Sequence, residues 1–149
     1  MKFETPRFGS IDVDADKIIR FENGMPGFPD CTQFIVMDHD VATPLKWLQC
    51  VDRPEVAFLV VEPEQVLSNY EVEVPSWVLR LVSWNEEDDT RDVGTFLILN
   101  VADEELTANL RAPVIVNIRK RLAFQMILDD MEIPIRHPIR PEDRPPETP

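Results

Sequence analysis

Apolar and polar residues alternate through much of this chain at the two-residue period of half-buried β-strands. Over Leu45–Val51 the period puts Leu45, Trp47, Gln49 and Val51 on one face and Lys46, Leu48 and Cys50 on the other. Tyr70-Glu71-Val72-Glu73-Val74 alternates cleanly and reads as a strand with one wet face. Two runs are almost wholly apolar, Val56–Val61 and Val93–Val101, as suits strands covered on both faces. Further strands are expected over Lys17–Phe21, Gln33–Met37, Ala112–Ile118 and Leu122–Leu128. A hairpin over residues 2–14, hinged at Gly9-Ser10, brings in Ile11 and Val13. The period changes only at Pro75–Val82. That stretch reads as a short helix with Trp77 and Leu81 facing inward, or alternatively as another strand, with the helix placed ahead.

The strands are separated by turn chemistry, most densely in Phe21-Glu22-Asn23-Gly24-Met25-Pro26-Gly27-Phe28, which holds two of the four glycines of the chain. Asn23-Gly24 suits a type I′ turn, and Pro26-Gly27 suits a type II turn with glycine supplying positive φ. Asp52-Arg53-Pro54-Glu55 is a turn, Pro63 ends a strand, and Arg119-Lys120-Arg121 reads as a hairpin tip. Glu86-Glu87-Asp88-Asp89 is a solvated loop, because adjacent like charges cannot be packed. From Pro134 onward there are six prolines in sixteen residues, so residues 134–149 are expected to form an extended or mobile tail behind a domain spanning 1–133. About nine short strands and at most one or two short helices argue for a mainly β, single antiparallel barrel-like domain, with a sandwich as second choice.

Composition supports one domain. The chain has 149 residues, 44% of them hydrophobic, enough to bury roughly 70% of its unfolded surface. Charge narrows the function. With 28 acidic against 15 basic residues, the net charge of -13 repels phosphate backbones, so direct nucleic-acid binding is disfavoured. The same field steers a basic protein partner inward. The N-terminal Met1-Lys2-Phe3-Glu4-Thr5-Pro6 lacks a signal-peptide core, and no apolar run reaches membrane-spanning length. The expectation is a cytoplasmic protein with reduced thiols, although sequence leaves a Cys31–Cys50 disulfide open.

Enzyme chemistry finds no pattern. There is no phosphate-binding glycine loop, and neither Cys31 nor Cys50 forms metal-ligand spacing with His39 or His137. Both cysteines read as small buried apolar residues and both histidines as exposed. Catalytic residues, cofactors and metals are all expected to be absent. Asn109 and Asn117 flank an Ala-Pro-Val strand start at Pro113, where amides hold backbone groups in place.

Four stretches together resemble the FliW family of bacterial flagellar assembly factors. They are Phe21–Phe28, Trp47-Leu48-Gln49-Cys50, Glu55-Val56-Ala57-Phe58, and Ala108-Asn109-Leu110-Arg111-Ala112-Pro113-Val114-Ile115-Val116-Asn117. The first and last are specific; residues 62–95 carry no matching stretch. The resemblance implies a barrel-like, non-enzymatic protein that binds the translational regulator CsrA, relieving repression of flagellin translation allosterically, and that also binds flagellin. On that expectation Glu86, Glu87, Asp88 and Asp89 steer CsrA, and Glu22, Asn23, Met25, Pro26 and Phe28 meet a partner on a turn shaped by Gly24 and Gly27. The alternatives are a flagellin chaperone without a CsrA role, or an OB-like RNA-binding barrel.

Overall fold

Val93–Ala102 is the longest strand, and the sheet is arranged along it. The computed structural model describes residues 2–38, 44–67, 69–102 and 105–139. In chain order the elements are β1 (Lys2–Thr5), β2 (Gly9–Asp12), β3 (Ile19–Arg20), β4 (Gln33–Asp38), β5 (Lys46–Cys50), β6 (Ala57–Val61), α1 (Ser76–Leu81), β7 (Val93–Ala102), β8 (Glu105–Ala108), β9 (Val114–Asn117), β10 (Leu122–Gln125) and β11 (His137–Pro138). Single 3-10 turns lie at Ala15–Lys17, Pro63–Gln65 and Thr90–Asp92.

One edge of β7 is shared by two strands. Its first half pairs with β9 (Val93↔Asn117 to Phe96↔Val114) and its second half with β8 (Leu99↔Ala108 to Ala102↔Glu105). The other edge pairs with β6. The order β7-β6-β5-β4-β3-β10-β9 therefore returns to β7 and closes a seven-stranded barrel, with β8 and β11 attached outside the ring. The expected mainly β barrel is what forms, and the sandwich is not. One seam departs from the antiparallel expectation: β10 and β3 run parallel at Leu122↔Arg20. The β1–β2 hairpin forms its own two-stranded sheet. Its turn is Pro6–Phe8, with Gly9 at φ +69° opening β2. It touches the barrel through the Phe8–Trp47 ring pair and through Arg7, 4.3 Å from the Trp47 ring centroid.

Strand alternation sorts the core into layers. Phe21, Phe34, Leu48, Cys50, Val60, Val114 and Val116 fill one cluster. The alternate residues of β6 and β7, Val61, Leu97 and Leu99, join a second with Val66, Leu110 and Ile139. Ile115 of β9 joins a third, beneath Val78 of α1. Strand β6 thus buries residues on both faces, as its unbroken apolar run implies.

Besides the parallel seam and a hairpin turn at Pro6–Phe8 where Gly9-Ser10 was expected, four expectations change. Tyr70–Val74 is extended but enters no ladder, because Tyr70, Val72 and Val74 pack by side chain instead. The helix forms, yet Trp77 (50% exposed) and Leu81 (39%) face outward while Val78 and Val82 are fully buried. A helix start fixes the i, i+4 spacing and leaves open which of the adjacent apolar pairs meets the core. Glu105–Ala108 is a strand that its own composition did not announce. Finally, the proline-rich segment is docked as far as residue 139: β11 pairs with β8, Ile139 N–H donates to Leu106 O, and Ile139 is buried. An edge position tolerates Pro138 because proline's missing N–H matters only in a central ladder. The domain thus runs past 133, and residues 140–149 lie outside the described chain.

Candidate protein-binding surface

The glycine-rich corner is the loop of the β3–β4 hairpin, closed by Phe21 N–H donating to Thr32 O. Three turns follow one another inside it. Gly24 N–H donates to Phe21 O (2.8 Å), so Glu22 and Asn23 are the central residues and Gly24, at φ +73°, is the fourth. Asn23 does not take positive φ, so the expected type I′ turn is replaced by one ending in glycine, a common final residue of type I turns. Met25 and Phe28 then exchange two backbone hydrogen bonds around Pro26 and Gly27, the latter at φ +85°, as a type II turn requires. Cys31 N–H donates to Phe28 O and closes the third.

These turns decide which side chains reach solvent. Met25 is 2% exposed and belongs to the cluster of Phe21 and Phe34. Phe28 is half-buried, its ring edge-on to Phe58 at 5.5 Å. The idea that both are presented on a rigid turn is therefore corrected: the tight turn aims Met25 at the core, and Phe28 packs on it. Glu22, Asn23 and Pro26 remain exposed, and Glu22 borders a hollow of about 360 Å³ with Arg20, Thr32 and Gln33.

Glu86–Asp89 divides in two. Asp88 accepts from Asn85 N–H (2.8 Å) and lies 3.7 Å from Lys120 Nζ. Asp89 accepts from Arg91 N–H and pairs with the Arg91 guanidinium at 2.7 Å, which holds its carboxyl below the usual range. Its carbonyl accepts from Trp84 Nε1. Glu86 and Glu87 are exposed. Lys120, in the basic tip, donates to Ser83 O and so braces the end of α1.

The Asn109–Asn117 stretch is a structural junction. Asn109 Oδ1 accepts from Arg111 N–H, turning the chain between β8 and β9. Leu110 O accepts from Tyr70 Oη (2.7 Å), and Leu110 N–H donates to Pro134 O. Pro113 O accepts from Met126 N–H. Asn117, 1% exposed, donates to Val82 O and accepts from Lys120 N–H, tying the helix end to the hairpin tip.

Across this same frame, from residue 2 to residue 139, the chain matches the family model described as FliW protein. The chain belongs to the FliW family. It is 35% identical to the flagellar assembly factor FliW of Thermoanaerobacter pseudethanolicus over 145 residues, 95% of each protein. To that of Geobacillus sp. (strain WCH70) it is 37% identical over 144 residues, covering 95% of this chain and 97% of the relative. A crystal structure of the flagellar assembly factor FliW superposes with a TM-score of 0.85 at 34% identity, covering 95% of this chain and 99% of that one. The FliW match includes residues 134–139, in keeping with their packing against β8.

Two anchors of this FliW-family barrel were not singled out in the sequence. Asp52 accepts four hydrogen bonds, from Thr32 N–H and Oγ1 and from Gln33 N–H and Nε2, at 2.7–3.1 Å. It pins the exit of the corner to the β5–β6 turn. Burial alone would raise its carboxyl, but these donors outweigh burial and lower it. Arg111 donates to the Ile133 and Met131 carbonyls and holds the chain that leads to β11. A turn aspartate looks like any other in sequence, and Arg111, though it lies in the Ala108–Asn117 stretch, carried no sign of which carbonyls it meets. Cys31 and Cys50 are both free and buried; burial, with the neighbouring Cys50, pushes the Cys31 thiol up to about 12. His39 lies outside the described residues. No group of three or more metal-ligating side chains occurs among the described residues, nor does a helix long and apolar enough to cross a membrane.

Proposed function

We propose that this chain is a non-enzymatic, cytoplasmic regulator of flagellar assembly that binds the translational regulator CsrA and, separately, flagellin. Membership of the FliW family over residues 2–139 carries the reading, because relatives matched over nearly their whole length are flagellar assembly factors. Physical chemistry supplies the mode of encounter. A net charge of -13 attracts an RNA-binding protein, whose surface must be basic to hold phosphates. Glu86 and Glu87 are exposed and unburdened by internal turns, so they act in steering, whereas Asp88 and Asp89 hold the loop that presents them. In the corner Glu22, Asn23 and Pro26 are the contact candidates. Binding CsrA away from its RNA surface would act allosterically and relieve flagellin translation, with flagellin competing for the factor.

The test is stopped-flow association of the purified chain with CsrA and with flagellin across a range of ionic strength. The CsrA rate is expected to fall by about tenfold or more between low and physiological salt, and the Glu86→Lys/Glu87→Lys variant to lower it further. Flagellin binding without CsrA binding would reduce the function to a flagellin-specific chaperone. Direct retention of flagellin leader RNA without CsrA would favour the RNA-binding reading instead.

A further inference from the structure

The ladder between β6 and β7 stops early and leaves a slot open. Pairing ends at Val61↔Leu97, because Pro63 turns the chain into a 3-10 turn. Residues Val93–Phe96 then have β9 on one edge and, among the described residues, no strand on the other. The hydrogen-bond phase tells which groups are left. Ile118 N–H donates to Asp92 O, and Asn109 N–H donates to Ile98 O, so the even-numbered residues of β7 bond toward β8 and β9. The odd-numbered ones point the other way. Val93 N–H is taken by Thr90 O, which leaves the Val93 carbonyl and both backbone groups of Thr95 facing a slot without a strand partner among the described residues.

The slot encloses about 410 Å³. Tyr70 and Val72, from the extended segment that joins no ladder, line it together with Thr95 and Phe96. Glu62 and Glu64 also line it, and among the described residues no lysine or arginine does. Hydrogen bonding to Glu64, then burial, raises the Glu62 carboxyl, with Lys46 of β5 acting weakly against this. Glu71 and Glu73 are exposed on the outer side of the 70–74 segment.

We propose that this slot receives an extended, lysine- or arginine-bearing segment of a partner protein, added to the free edge of β7 as a β-strand. Backbone groups of the segment pair with Val93 O and with Thr95 N–H and O. Its cations meet the Glu62–Glu64 pair, whose mutual repulsion they relieve. A short edge without a strand partner, next to two neighbouring carboxylates that Lys46 offsets only in part, selects for both features at once: strand geometry and positive charge. The site depends on no particular partner and stands apart from the identity of CsrA or flagellin.

The probe is an N-acetylated, C-amidated octapeptide of alternating lysine and valine, titrated into the full chain. Saturable one-to-one binding is expected, with hydrogen exchange at the Thr95 amide slowed. Thr95→Pro deletes that N–H while leaving the β9 ladder intact, and is expected to weaken binding by roughly tenfold or more. Glu62→Gln/Glu64→Gln should weaken it as well. A peptide methylated on every backbone nitrogen keeps the charge but loses the donors to Val93 O and Thr95 O, and its methyl groups hold it off the strand edge. It should therefore not slow Thr95 exchange, which tests the idea even if Thr95→Pro folds poorly. Equal binding of the methylated peptide, equal binding of a glutamate–valine peptide, no binding of the lysine peptide, or protection of Thr95 by self-association without peptide would each overturn the proposal.

Discussion

Met25 shows how a surface-looking motif can serve the interior. It sits between two turns, yet those turns send its side chain into the cluster that holds Phe21, Phe34 and Val60. Met25→Ala should therefore destabilise the fold by about 2–4 kcal/mol in urea titration, and Phe28→Ala by somewhat less. Gly24 is fixed by space as well as by φ, since an added Cβ would lie 2.6 Å from Pro29 O. Gly24→Ala should cost upwards of about 2 kcal/mol, while at Gly27, where nothing lies within 4 Å of such a Cβ, only the backbone strain of φ +85° remains. Asp52 adds a pH dependence. Its folded pKa is lowered, so its contribution is present above the unfolded value near 3.8 and is lost as pH falls through the folded value. Thermal unfolding of Asp52→Asn should show a lower Tm at neutral pH and converge on the parent in acid.

Among the elements, α1 is the most revealing, because six residues cannot hold a helix without tertiary support. Its end is a Schellman motif: Trp84 N–H reaches Leu79 O and Ser83 N–H reaches Arg80 O. Ser83 adopts φ +57°, a conformation that favours glycine. Ser83→Gly should raise stability by about 0.5–1 kcal/mol in equilibrium unfolding. Val78→Ala should cost about 2 kcal/mol, more than truncation of the outward Leu81, which reverses the ranking expected from sequence. Strand β7 makes a related point. Its apolar run announces a central strand, but its sharing of one edge between β8 and β9 depends on the Asn109–Pro113 excursion that separates them.

For the whole molecule, the segment after Ile133 is part of the fold. Ile139 fills the second cluster, Pro134 O caps Leu110 N–H, and β11 covers the outer edge of β8. A chain stopped after Ile133 should be less stable than one stopped after Ile139 by about 2–4 kcal/mol, and should gain affinity for hydrophobic dyes. The charge of the chain acts at the same scale. On the proposed function it would set the salt dependence of partner encounter without specifying where docking occurs.

The sequence by itself determined the strand periods, the turns, the barrel class and the family, because each rests on local chemistry or on short motifs. Pro26-Gly27 must turn whatever surrounds it, and Val93–Val101 must be covered. The role of Asn117 as a buried backbone tie was also legible, since an amide in an apolar strand needs partners. Tertiary structure alone decided which way side chains point once a turn or helix has formed: Met25 inward, Trp77 outward, Glu86 and Glu87 free but Asp88 and Asp89 engaged. It also decided that β11 pairs, that Tyr70–Val74 does not, and that three backbone groups of β7 face a slot without a strand partner among the described residues. The physical reason is the same each time. Local sequence fixes the period and hand of an element, whereas its neighbours and orientation follow from contacts between residues far apart in the chain, as when Asp52 meets Thr32 or Ile139 meets Leu106.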